Sequence, residues 1–257
     1  MPTQNARDPV IFRSSNPALN AQTFTEGFIA VPGGGVMTLT GVVQKSALLL
    51  AILVTTAVFS WRAAAGQNPS TFMPFFLGGL FGGFILSLVI IFKNTTAPFL
   101  SPLYAALEGL VLGFLSAIME QKYPGIVVSA VGLTFGTLAS MLLLYGSGVL
   151  RATPRFTVGV VAATGGICLM YFASMFLGFF GVHVPYIHDG GPIGIAISVF
   201  VVTIAALNLI LDFALIESGV AAQAPKYMEW YGAFSLMVTL VWLYLEILRL
   251  LSKLRKR

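Results

Sequence analysis

Seven predominantly apolar runs, each long enough to cross a hydrocarbon layer about 30 Å thick, limit most strongly what this chain can fold into. They lie close to residues 46–61, 73–92, 101–119, 125–146, 156–182, 192–216 and 228–251. Only short connectors rich in polar residues, Gly and Pro separate them. With 57% hydrophobic and 9% charged residues, the chain cannot be a water-soluble globule, which carries about 25% charged residues. We therefore predict an all-α polytopic membrane protein, a bundle of seven transmembrane helices.

The connectors leave no room for a second folded domain. Residues 1–44 are polar and contain three consecutive glycines at 33–35, which is typical of a flexible arm. Residues 45–257 are expected to form the transmembrane domain, which ends in a basic tail.

The net charge of +5 and a pI near 9.5 do not indicate a nucleic-acid partner, because no basic patch is interleaved with stacking aromatics. The basic residues serve as markers of membrane topology instead. The one cysteine, Cys168, excludes a disulfide framework and a Cys-rich metal site, and we expect it to be a small buried side chain. We expect no cofactor and no bound metal.

Enzymatic chemistry has little support in the sequence. Residues 146–148 imitate part of a serine-hydrolase elbow, but no predicted span contains a histidine that could act as the base. The last span contains no lysine, which excludes a retinal Schiff base. We therefore predict that the chain is not an enzyme.

Three carboxylates, Glu108, Asp212 and Glu246, fall inside predicted spans away from the first turn, and a carboxylate in a bilayer is a candidate functional group because its burial is costly. Glu108 is about seven residues into the third run, roughly 10 Å below the amino-terminal side. Asp212 lies at a matching depth in the sixth run, and Lys93 emerges on the same side at the end of the second. We therefore predict an ion or gating site of Asp212, Glu108 and Lys93, in which the two acids interact and titrate as a unit.

The alternative for the two acids is structural. Protonated carboxyl groups can bond neighbouring helices, and Asn208 lies one turn before Asp212 to assist. Glu246 is expected near the opposite surface, where it can pair with Arg249 three residues later on the same helix.

Small residues form faces on two of the predicted helices, and close helix packing is the expected consequence. They are Gly78, Gly79, Gly82 and Gly83 in the second run, and Gly109 and Gly113 in the third.

Across residues 36–254 the chain resembles the Bax inhibitor-1 superfamily, the transmembrane BAX-inhibitor-motif proteins. Residues 208–213, with Asp212 late in a Leu-rich run, look like the sixth helix of that family, and residues 233–251 look like its last helix. A bacterial branch of the superfamily is resembled at residues 14–20, 102–105 with 108–109, and 228–231.

The resemblance implies a pH-sensitive cation leak, chiefly of Ca²⁺, gated by an aspartate pair on the last two helices with a basic latch on the second. Asp212 matches the sixth-helix aspartate and Lys93 stands where the latch is expected. The last-helix aspartate is missing: an ungapped match puts Thr239 there, and an alternative match selects Glu246. We therefore expect Glu108 to replace the missing partner.

Orientation follows from the resemblance rather than from charge. Seven basic residues fall on each side, or five against seven when only helix ends are counted, which slightly favours a cytoplasmic carboxyl terminus. The family implies a cytoplasmic amino terminus, and we adopt that orientation in a cell inner (plasma) membrane.

Two functions from different classes remain. The first is a Ca²⁺ or proton leak controlled by the Asp212/Glu108 pair. The second is an interaction protein that modulates a membrane protease or a stress response through a membrane protein partner, without conducting ions. They differ in whether the acids line a wet cavity or are sealed among helices.

Overall fold

The computed structural model describes residues 35–66, 69–181 and 191–256. This part of the chain forms seven long helices, each long and apolar enough to cross a membrane. They are α1 (Leu39–Gly66), α2 (Pro69–Phe92), α3 (Ala97–Lys122), α4 (Ile126–Gly146), α5 (Pro154–Phe179), α6 (Pro192–Ala221) and α7 (Met228–Leu254). The predicted all-α bundle of seven helices is confirmed.

The first helix begins earlier than its apolar run predicts. Thr38 caps it, because the Thr38 hydroxyl accepts a hydrogen bond from the Gly41 N–H at 3.0 Å. Residues 39–44, expected in the polar arm, therefore belong to α1. Residues 35–38 precede the helix, and Val36 forms an isolated bridge with Pro225. Residues 1–34 of the predicted arm lie outside the described residues.

The last helix occupies the centre of the bundle. Helix α7 packs against α1, α3, α4 and α6. In its most apolar stretch 61% of the residues are buried, against 11% in α5. Helix α2 packs mainly on α3, and α5 packs on α6. The core therefore surrounds α7, while α2 and α5 lie at the periphery.

Glycines on α3 let α1 approach to backbone contact. A Cβ on Gly109 would overlap the Leu53 carbonyl oxygen, and a Cβ on Gly113 would overlap the Ala57 carbonyl oxygen. The predicted close packing through these two residues is confirmed. On α2, Gly79 faces α3, where a Cβ would lie 2.9 Å from the Val111 side chain, whereas Gly78 faces open space.

Cys168 corrects one expectation from the sequence. It lies exposed on the peripheral helix α5 instead of being buried. An apolar environment in a membrane bundle includes the lipid-facing surface, so an apolar run does not distinguish that surface from the core.

Candidate functional site

Asp212 is enclosed between α6 and α7, with only 1% of its surface exposed. The Ser235 hydroxyl donates a hydrogen bond to Asp212 Oδ1 at 3.0 Å. The Thr239 hydroxyl, one turn further along α7, lies beside the same carboxylate. Oδ2 has no hydrogen-bond partner among the described residues. A buried carboxylate oxygen without a partner is costly, which marks this position as a candidate site.

Thr239 is the residue that the ungapped match places at the missing last-helix aspartate. Its position beside Asp212 agrees with that match in space. Glu246, which the alternative match selects, lies two turns further along α7. The Arg249 guanidinium pairs with it at 3.0 Å, and the Tyr171 hydroxyl donates to it at 3.1 Å. The expected Glu246–Arg249 pair is therefore present, and α5 contributes to it through Tyr171.

Glu108 is half-buried on α3 and faces α2. A Cβ placed on Gly83 would lie 3.1 Å from Glu108 Oε2. Among the described residues Glu108 makes no hydrogen bond or ion pair, and α3 and α6 share no packed interface. The structure therefore does not bring Glu108 into contact with Asp212.

One aromatic contact joins α3 near Glu108 to α7 near Ser235. Tyr104 lies one turn before Glu108, and its ring meets the Phe234 ring edge-on with the centroids 5.0 Å apart. Phe234 immediately precedes Ser235, the hydrogen-bond donor to Asp212. Helix α7 therefore contacts both acid-bearing helices, α3 through this ring pair and α6 through the bond from Ser235 to Asp212.

Lys93 is exposed just after the end of α2 and forms no ion pair with a described residue. Because α2 and α6 share no packed interface, Lys93 is not brought to Asp212 in this conformation.

Asn208 ties α6 to α5 and does not bond Asp212. Its side-chain amide donates to the Thr164 hydroxyl at 2.9 Å and to the Ile204 carbonyl at 2.8 Å. Such side-chain bonds between helices are typical of membrane bundles. Asn208 therefore has a structural role in the interface between α5 and α6.

A further buried carboxylate, which the sequence does not predict, joins the starts of α1 and α7. Glu229 is 1% exposed and forms an ion pair with Lys45. The backbone N–H and the hydroxyl of Thr38 both donate to Glu229 Oε1, at 3.0 and 2.9 Å. A Cβ on Gly41 would overlap this carboxylate, so glycine is required where α1 passes it.

The sequence does not predict a buried pair of Glu229 and Lys45, because each lies near a helix start, where a charged residue ordinarily contacts water. The sequence alone marks Lys45 only as an indicator of membrane topology. The family resemblance at residues 228–231, which include Glu229, is the available signal in the sequence. The Lys45 ammonium also lies 5.5 Å from the Trp230 ring centroid, in cation–π geometry.

Comparison with known proteins identifies the family. The family model of Bax inhibitor 1-like proteins matches residues 8–256, almost the whole chain. No curated protein and no solved structure matched the chain. The seven-helix bundle, with an enclosed aspartate late in α6 facing α7, agrees with the resemblance seen in the sequence. The chain therefore belongs to the Bax inhibitor-1-like family of multi-pass membrane proteins.

Proposed function

We propose that the protein is a pH-sensitive leak for Ca²⁺ or other cations across the inner (plasma) membrane, controlled by the protonation of Asp212. One observation carries the proposal: in this closed conformation Oδ2 of the buried Asp212 carboxylate has no hydrogen-bond partner among the described residues, an arrangement that suits the protonated acid and not the ionised one. In this proposal the amino terminus faces the cytoplasm and the chain catalyses no covalent reaction.

The direction of the pH response follows from the cost of burying charge. Protonated Asp212 can stay enclosed, with Ser235 as its partner. An ionised carboxylate in the same place is costly unless water or a cation reaches it. Raising the pH should therefore favour conformations in which α6 and α7 separate around Asp212. The leak should be low at acidic pH and should rise as the pH rises.

Glu108 and Lys93 enter the proposal differently from Asp212. Glu108 acts as a separate carboxylate, linked to the site through Tyr104 and Phe234. The latch role that the family resemblance implies for Lys93 requires another conformation, because here Lys93 is exposed at the end of α2.

The test is Ca²⁺ flux through purified protein in liposomes over a pH series. We expect the wild-type leak to rise by up to about tenfold per pH unit, the limit for one titrating group. Asp212→Asn should hold the leak at its acidic level throughout, because the amide cannot ionise. Glu217→Gln is the matched control, since Glu217 is an exposed acid on the same helix. A pH profile that Asp212→Asn leaves unchanged would contradict the proposal.

Glu108→Gln and Asp212→Asn should have additive effects on the logarithm of the leak. The two side chains lie on helices without a shared packed interface, and distant substitutions usually add. The measurement is the flux of both single variants and of the double variant at one intermediate pH. A strongly non-additive double variant would show that the two acids act as one unit, in a conformation different from the one described.

A site that stays sealed at every pH would instead favour the second function, an interaction protein that modulates a membrane protease or stress factor without conducting ions. The two functions differ in whether water reaches Asp212. Ser235→Cys in a Cys168→Ser background places the only thiol beside Asp212. A leak requires this thiol to react with a water-soluble thiol reagent faster as the pH rises. A thiol that stays protected at every pH, together with absent flux, would support the interaction protein.

A further inference from the structure

An apolar crevice of about 280 Å³ lies between α1 and α4. These two helices share no packed interface within the described residues, and α3 and α7 form the floor between them. The crevice follows α1 from Leu50 to Trp61, and α4 from Val127 to Phe135. Helix α4 begins at Ile126, just beyond one end of the crevice. The crevice therefore runs from the middle of the bundle toward the side of the membrane where α1 ends and α4 begins.

The hydroxyl groups that line the crevice are already bonded within the protein. Ser116 and Tyr244 share a hydrogen bond of 2.6 Å at the floor. The Thr134 hydroxyl donates to the Ala130 carbonyl at 2.8 Å. Water and ions need several free polar partners, and apolar cavities stay dry. The crevice is therefore suited to an apolar occupant, which sets it apart from the Asp212 site.

The length and the apolar lining of the crevice suit a single hydrocarbon chain. From Leu50 to Trp61 the crevice extends about 16 Å along α1. The exposed side chains of Val54, Val58 and Val131 form its rims. An acyl chain could therefore enter sideways from the bilayer.

A basic side chain continues one rim of the crevice to the membrane surface. Val54, Val58 and Arg62 are spaced four residues apart, so they lie in one row along α1. Arg62 is exposed near the end of the span and has no ion-pair partner among the described residues. The nearby acid, Glu120, is occupied by the start of α4, because its carboxylate accepts the Val127 N–H at 3.1 Å. Arg62 is therefore available to a phosphate at the mouth.

We propose that this crevice binds one membrane phospholipid, with an acyl chain between α1 and α4 and the phosphate paired with Arg62. The guanidinium is well suited to phosphate, which it can bind with two parallel hydrogen bonds. The acyl chain fills space that α1 and α4 leave between them. The proposal does not depend on ion conduction, because the crevice is separate from Asp212.

Trp61 lies in the crevice wall and can report binding by fluorescence. The probe is a phospholipid with brominated acyl chains, which quench tryptophan on contact. It is added in small amounts to the full-length protein in detergent, with Trp230 and Trp242 replaced by Phe. We expect saturable quenching at a low mole fraction of the probe. Quenching that only follows the bulk fraction of brominated lipid would overturn the proposal.

Matched variants test the acyl-chain contact. Val131→Phe should fill the crevice and abolish the saturable part of the quenching. Val158→Phe is the control, because Val158 is an exposed valine on α5, away from the crevice. Equal saturable quenching in both variants, or protection of Trp61 by a second copy of the chain in an oligomer, would contradict the proposal.

The role of phosphate is tested separately. Arg62→Gln should weaken binding by about two- to fivefold, the range for an exposed ion pair. Brominated phosphatidylcholine and phosphatidylglycerol should both bind, because both carry the phosphate. Brominated diacylglycerol lacks the phosphate. Its binding to the wild-type protein should therefore be as weak as the binding of brominated phospholipid to the Arg62→Gln variant. Equal binding of diacylglycerol and phospholipid to wild type would overturn the pairing with Arg62.

Discussion

Lys45→Met is expected to lower the free energy of unfolding by about 3 kcal/mol, because it leaves a buried carboxylate without its cation. Glu229 is 1% exposed, so water cannot replace the lost ammonium without local opening. The two hydrogen bonds from Thr38 remain but do not neutralise the charge. The measurement is unfolding of the purified protein in one detergent, followed by helix content.

Two further variants make this result specific to the ion pair. Lys93→Met removes an exposed lysine without an ion-pair partner among the described residues, and should change stability by no more than about 0.5 kcal/mol. In the double variant Lys45→Met/Glu229→Gln the buried charge is gone, so part of the lost stability should return. A double variant as unstable as the sum of its two single variants would show that the pair is not energetically coupled.

Gly113→Ala should destabilise the bundle by about 3 kcal/mol, at the upper end of the range for overpacked cores. Its Cβ would overlap the Ala57 carbonyl oxygen, and two backbones can make room only by moving apart. Separation of α1 from α3 would also disturb the packing of both helices against α7. Thermal unfolding under identical detergent conditions provides the measurement.

Gly132→Ala on α4 is the matched control for Gly113→Ala. A Cβ on Gly132 meets nothing within 4 Å. Alanine is a better helix former than glycine, so this variant should be neutral or slightly stabilising. Similar midpoints for the two variants would mean that the contact between α1 and α3 is not limiting for stability.

The number and approximate positions of the helices could be predicted from hydropathy because a bilayer requires long apolar runs. The exact ends of the helices are less predictable from the sequence. Helix α1 reaches back to Leu39 because Thr38 caps it and because Glu229, 191 residues after Thr38, holds that cap. A contact over such a distance in sequence has no local signal. The polar character of residues 39–44 therefore suggested an arm where the tertiary structure makes a helix.

At the candidate site, the sequence predicts the depth of a residue in the membrane but not its neighbours on other helices. Depth can be counted along a helix, and this count correctly separates Glu246 from Asp212. Counting residues does not show which helices are neighbours in the bundle. The contact expected between Glu108 and Asp212 assumed that α3 and α6 pack together, and the structure does not show this contact. Thr239 was placed beside Asp212 only through the family resemblance, because helical spacing alone does not select it.

The central position of α7 has a consequence for biogenesis. A ribosome makes this helix after the other six, yet α1, α3, α4 and α6 all pack against it. The earlier helices must therefore wait in the membrane with their α7-facing sides covered by lipid or by the insertion machinery. The buried partner of Lys45 arrives only when Glu229 is translated. Assembly of the core is thus completed only at the end of translation, when α7 joins the helices that are already in the membrane.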